Sequence, residues 1–126
     1  MAAVRDSITA LYITYFNRAP DAEGLKYWED QAAANGDTAA LLEISAAFSQ
    51  NSVAVTNYPS TMTDEEYVDQ MYNYAFGVGP DADGKAYWEL QLSNGTSRSQ
   101  VMVEFVNSML DYDGSDVGGL ERQDIL

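Results

Sequence analysis

The stretch Asn17-Arg18-Ala19-Pro20-Asp21-Ala22-Glu23-Gly24-Leu25-Lys26-Tyr27-Trp28-Glu29 returns sixty residues later as Gly77-Val78-Gly79-Pro80-Asp81-Ala82-Asp83-Gly84-Lys85-Ala86-Tyr87-Trp88-Glu89. Proline lacks an amide hydrogen and cannot continue a preceding helix, while the aspartate after it can accept from a free amide one turn on. Pro-Asp therefore marks a helix start in both places. The recurrence extends outward: Tyr12 and Phe16 match Tyr72 and Phe76, and after a one-residue slip Asn35-Gly36 matches Asn94-Gly95. Self-similarity at a fixed period predicts a fold built from two copies of one unit.

Each copy reads as three helices. In the first, Val4, Ile8, Leu11, Tyr12, Tyr15 and Phe16 recur at three- and four-residue spacing, with Asp6 as the expected N-cap. The helix opened by Pro20-Asp21 turns Leu25, Trp28 and Ala32 inward. Asn35-Gly36 then supplies a left-handed stop, and Asp37 or Thr38 is expected to cap a third helix carrying Leu41, Ile44 and Phe48. In the second copy, Thr63-Asp64-Glu65-Glu66 forms a capping box ahead of Val68, Met71, Tyr72, Ala75 and Phe76. Ser97 with Gln100 forms another ahead of Val101, Phe105, Val106 and Met109.

Residues 50–62 show no helical punctuation, Tyr58-Pro59 favours extended backbone, and only Val53 to Val55 alternates as a strand would. The expectation is a single all-α domain over residues 1–126. It is a compact bundle of about six helices from two pseudo-symmetric three-helix repeats, residues 4–49 and 63–110, joined by the connector 50–62 and followed by an acidic, glycine-rich tail at 111–126. Three helices hide their apolar faces poorly, so the copies are expected to share one core.

Composition narrows the function. Of 126 residues 46% are hydrophobic and 21% charged, a globular balance, and a chain of this length buries roughly two-thirds of its unfolded surface. With 20 acids and 6 bases the net charge is −14, which repels nucleic acid and anionic membranes. The acids concentrate in residues 61–126, which hold 13 of them. Cysteine and histidine are both absent, so thiolate chemistry, His-based triads and His-ligated zinc are excluded. No apolar run is long enough to span a bilayer, and the first residues lack the pattern of a cleaved signal peptide. Neither an enzyme nor a membrane-inserted protein is expected, and any export would use a signal other than an N-terminal one.

On the Pro-Asp-x-x-Gly-x-x-Tyr-Trp element the chain resembles a family of bacterial domains of unknown function found in S-layer proteins, repeats-in-toxin-type exoproteins and adhesins, itself similar to the phycobilisome linker domain. The family hallmark is G-R-A-P-D-x-x-G-L-x-Y-W. Residues 17–28 depart from it only at Asn17, whereas the second copy lacks the arginine and has Lys85 for the leucine. The resemblance implies an extracellular or cell-surface location reached by type I secretion. It also implies a non-catalytic role in anchoring or assembly, with cell-surface polysaccharide or other surface-protein subunits as partners. A lectin-like domain holding polysaccharide such as O-antigen, and a linker organising protein partners, are the alternatives; the acidic charge disfavours the linker where the partners are acidic.

Two candidate sites follow from residue types. Asp111, Asp113, Ser115, Asp116 and Glu121 lie among Gly114, Gly118 and Gly119, and oxygen donors in a glycine-bearing loop are what calcium needs, although the spacing departs from the EF-hand pattern. Asp21, Glu23, Asp81 and Asp83 could also gather a cation, but helix capping accounts for them. Tyr27 and Tyr87 are rotated about 100° from their tryptophan neighbours. They are expected to face solvent, where they could meet a glycan while Trp28 and Trp88 enter the core.

Overall fold

The computed structural model describes residues 4–111, which form seven α-helices and no strand: α1 (Val4–Phe16), α2 (Ala22–Asn35), α3 (Asp37–Ser49), α4 (Ser52–Asn57), α5 (Asp64–Phe76), α6 (Ala82–Ser93) and α7 (Arg98–Asp111). None of these helices is long and apolar enough to cross a membrane.

Helix α1 is the axis of the bundle. Ser7, Ile8, Ala10, Leu11, Tyr12, Thr14, Tyr15 and Phe16 are all buried, so beyond the exposed Arg5 and Asp6 of its first turn it presents little solvent face. It packs against α2, α3 and α4 and also against α5 and α7, while α3 packs on α7. Buried residues from both halves accordingly form one hydrophobic cluster. The helix begins at Val4 and takes Asp6 into its first turn. Asp6 is therefore not the expected N-cap, but sits where the helix dipole favours a carboxylate.

The Pro-Asp reading holds in atomic detail. Asp21 caps α2 by accepting from the Gly24 amide at 2.6 Å, and Asp81 caps α6 by accepting from Gly84 at 2.9 Å. Thr63 and Glu66 close a reciprocal capping box on α5. The box on α7 is only half formed: Ser97 accepts from the Gln100 amide, but the Gln100 side chain donates to Glu104 instead. Asp37 and Thr38 do not cap α3, because Gly36 turns the backbone so tightly at φ +88° that helix resumes at Asp37 itself. The mismatch between the copies at Asn17 and Gly77 also finds its reason. Asn17 ends α1 at φ +59° and Gly77 ends α5 at φ +75°. Asparagine is the side chain that tolerates this left-handed position best after glycine.

The connector holds a helix the sequence reading did not expect. Asn51 caps α4 by accepting from Val53, and Val53 to Val55 are helical. Six residues cannot sustain a helix alone. This one is held by what it delivers: Tyr58 donates to the carbonyl of Thr14 at 2.5 Å and Asn57 donates to the carbonyl of Tyr15 at 3.0 Å. Those carbonyls belong to the last turn of α1, where no intrahelical donor remains.

The two copies also share an aromatic arrangement. Trp28 meets Phe48 edge-on at 5.5 Å and 80°, and Trp88 meets Phe105 at 5.7 Å and 78°. Tyr12 and Phe16 surround Phe48 as Tyr72 and Phe76 surround Phe105. Each edge-on pair contributes about 0.5–1.5 kcal/mol beyond area burial.

The tyrosine hydroxyls explain the glycines of the motif. A Cβ at Gly84 would lie 2.6 Å from the Tyr72 hydroxyl and 2.7 Å from the Asp81 carboxylate, and one at Gly24 would meet Tyr12 and Asp21 at 2.7 and 2.9 Å. Gly84→Ala should therefore lower stability by about 1–3 kcal/mol through overpacking, despite alanine's better helix propensity. Adding Tyr72→Phe should restore part of the loss in thermal melts. A double variant no better than the single would show that the hydroxyl is not the obstruction.

Candidate functional site

Two surfaces carry unusual chemistry. The first is the pair of exposed tyrosines, Tyr27 at 55% and Tyr87 at 52% exposure. Each rests edge-on against its neighbouring tryptophan, at 4.8 Å and 80° for Tyr27 and 4.7 Å and 84° for Tyr87. Tyr27 shares its helical face with exposed Glu23 and Asp30, and Tyr87 shares its face with exposed Asp83 and Leu90. Trp88 is buried and Trp28 is half-buried against the core, as the residue spacing predicts. The two tyrosines stand on helices with different principal neighbours: α2 packs on α1 and α3, whereas α6 packs on α5 and α7.

The second surface is a groove of about 580 Å3 lined by Ser49, Gln50, Ala54, Val55, Tyr58, Ser60, Tyr67, Arg98 and Ser99. It lies where the end of α3, helix α4 and the starts of α5 and α7 converge. Arg98 is its centre. Its Nη2 donates to the carbonyl of Met62 at 2.7 Å and to Asp64 at 3.0 Å, and its guanidinium carbon lies 5.1 Å from the Tyr67 ring centroid. The Tyr67 hydroxyl in turn donates to the Arg98 carbonyl at 3.1 Å.

Beneath the groove runs a chain of buried hydroxyls. Ser45 donates its single hydrogen to the Ser99 carbonyl at 2.8 Å, so Tyr15, 2.7 Å away, must donate to Ser45. Tyr58 stacks against Tyr15, Tyr67 and Tyr74 with ring centroids 5.0–5.9 Å apart. Burial pushes all three phenols, Tyr15, Tyr58 and Tyr67, above the ordinary tyrosine range, Tyr58 and Tyr67 well above it. Neighbouring phenols add to the shifts of Tyr58 and Tyr67, and the Arg98 charge opposes the Tyr67 shift only weakly.

Of the residues expected to hold calcium, Asp111 closes α7, while Asp113, Ser115, Asp116 and Glu121 lie outside the described residues. Asp21 and Asp81 act as helix caps. Among the described residues no three acidic, histidine or cysteine side chains gather into a metal-binding group. The sequence reading missed the groove, because its parts come from four helices and only the Asn51 cap and Tyr58-Pro59 mark it locally. Lys85, which stands where the first copy has Leu25, bridges α6 to α5 through Glu65 at 2.7 Å and Asp69 at 3.1 Å. This ion pair holds Glu65 below the usual carboxylate range and Lys85 above its own.

The family model described as a domain of unknown function (DUF4214) matches residues 45–109, just over half of the chain. The match runs from the second half of α3 through α7, so it covers the whole second copy and leaves residues 17–28 outside. No curated protein and no solved structure matches the chain.

The raised phenols make stability depend on alkaline pH. An unfolded tyrosine ionises near pH 10, below the folded value, so stability is intact under that pH and declines as pH rises through the folded range. Tyr67→Phe should cost about 1 kcal/mol at pH 7 by removing the bond to Arg98. The gap to the parent should narrow near pH 11 in denaturant melts, because phenylalanine has no proton to lose. A gap of constant size would argue against Tyr67 as a source of alkaline sensitivity.

Proposed function

Starting from the chain's membership of the DUF4214 family, whose description assigns no activity, we propose that this protein is a non-catalytic attachment module of an exported bacterial surface protein, of S-layer or adhesin type. It serves anchoring or assembly outside the cell. The observation that carries this reading is the matched presentation of Tyr27 and Tyr87, half-exposed rings each braced edge-on by a tryptophan of the core. A ring held in place loses little conformational freedom on binding, which is why rigid tyrosines make effective contact residues. The same observation favours polysaccharide as the partner: an aromatic face takes the apolar side of a sugar ring, and Glu23, Asp30 and Asp83 beside it can accept from hydroxyls.

Calcium belongs to the proposal as a stabilising ion bound through Asp111, Asp113, Ser115, Asp116 and Glu121. Carboxylates spaced along a glycine-bearing segment suit its need for several flexible oxygen ligands.

Two measurements decide between these elements. Amide shifts of the labelled chain titrated with purified O-antigen polysaccharide should move saturably around Tyr27 and Tyr87. Tyr27→Ala with Tyr87→Ala should weaken binding at least about tenfold, with a fall in melting temperature no larger than the loss of the two edge contacts to Trp28 and Trp88 accounts for. Stationary amides at both tyrosines would remove polysaccharide as the partner. Millimolar calcium should raise the melting temperature of the parent and not of Asp113→Ala, since an ion that binds only the folded chain stabilises it by mass action. Equal curves with and without the ion would sink the calcium site.

A further inference from the structure

We propose that the groove between α3, α4 and the starts of α5 and α7 binds a small organic monocarboxylate with an apolar body. This goes beyond attachment through Tyr27 and Tyr87, since no lining residue of the groove lies on α2 or α6. At about 580 Å3 the groove falls within the range of small-molecule sites. Among the described residues no acid lines the groove, and the one charged lining side chain is Arg98, whose ion-pair partner Asp64 sits outside the lining.

Arg98 is arranged to receive a carboxylate. Its contacts with Met62 and Asp64 both run through Nη2, the nitrogen that both guanidinium forks share, so Nη1 is left to give a ligand a single charge-assisted hydrogen bond. Asp64 and the Tyr67 ring fix the guanidinium's orientation, so binding orders little that is not already ordered. Ser60, Ser99 and Gln50 add neutral hydrogen-bonding groups, and the start of α7 adds the positive end of its dipole. Opposite this polar end, Ala54, Val55 and the Tyr58 ring form an apolar wall for the body of the ligand. The chain's overall negative charge repels anions at range, but that field is screened beyond about 8 Å at physiological ionic strength.

Benzoate and its neutral counterpart benzyl alcohol test the proposal on the full chain. Benzoate should shift the amides of Val55, Ser60, Arg98 and Ser99 saturably in the millimolar range expected of so small a ligand. Benzyl alcohol should bind at least about tenfold more weakly. Arg98→Gln is the direct variant but also loosens the clamp to Met62 and Asp64, so Val55→Trp is the cleaner one. Val55 is 47% exposed, and a tryptophan there should fill the groove, weaken benzoate at least about tenfold and keep the parent's melting temperature. The proposal is overturned by benzoate shifts that do not saturate, by equal binding of benzyl alcohol, or by benzoate affinity unchanged in Val55→Trp. Because Tyr27 and Tyr87 play no part in the groove, failure here leaves the attachment reading standing.

Discussion

The last carbonyls of a largely buried helix have no intrahelical donor and are best satisfied from within the protein. In α1 the Ile13 carbonyl accepts from the Asn17 amide, the Thr14 carbonyl from Tyr58 and the Tyr15 carbonyl from Asn57. Much else follows from this. Tyr58 and Asn57 arrive at the end of α4, so the connector has to be helical and pressed against α1. Tyr58 in turn brings Tyr67 and Tyr15 within ring contact. The Tyr67 hydroxyl and the Ser45 side chain then hold the first turn of α7 through the carbonyls of Arg98 and Ser99. Losing one such donor would strand a buried carbonyl, at about 1–3 kcal/mol.

The parts of the fold legible in the sequence are those encoded locally. Pro-Asp starts, the Thr63 box and apolar spacing each lie within a few neighbouring residues, and all act in the structure as read. The aromatic positions that meet around Phe48 and Phe105, though not their contacts, were legible for a different reason. A motif written twice displays its own packing constraints, and Tyr12, Phe16 and Trp28 reappear as Tyr72, Phe76 and Trp88. Helix α4 was not legible, because a six-residue helix stabilised by hydrogen bonds to a distant carbonyl leaves no periodicity of its own. The same holds for the groove: Ser49, Tyr58, Tyr67 and Arg98 become neighbours only through the packing of α3, α4, α5 and α7. The exposure of Tyr27 and Tyr87, by contrast, follows directly from the angle between adjacent residues on a helix.

The copies differ in their fasteners more than in their interiors. Leu25 is buried in the first copy, while its counterpart Lys85 stays half-exposed and ties to Glu65 and Asp69. The positions sixty residues before those acids are Arg5 and Thr9, which could not receive a lysine. Leucine and lysine are thus each matched to the helix they face. The energetic scales are unequal: a buried leucine contributes about 1.5–3 kcal/mol, whereas ion pairs exposed to this degree contribute about 0–1 kcal/mol. The second copy compensates elsewhere. Its capping box, the Arg98 clamp on Met62 and Asp64, and the more deeply buried Trp88 have no equally strong counterparts in the first copy.

This division separates the interior from the exterior. Cohesion rests on the aromatic clusters, on α1 and on hydroxyls donated to buried carbonyls, all of which are uncharged. Most of the acidic side chains lie outside these contacts, so their mutual repulsion is borne by an interior that does not depend on them. On the attachment reading proposed above, carboxylates on α2 and α6 are free to vary while Trp28 and Trp88 keep Tyr27 and Tyr87 in place. Such independence suits an attachment surface better than a catalytic one, because catalysis requires charged groups fixed against one another, whereas attachment requires only that the scaffold beneath them stay rigid.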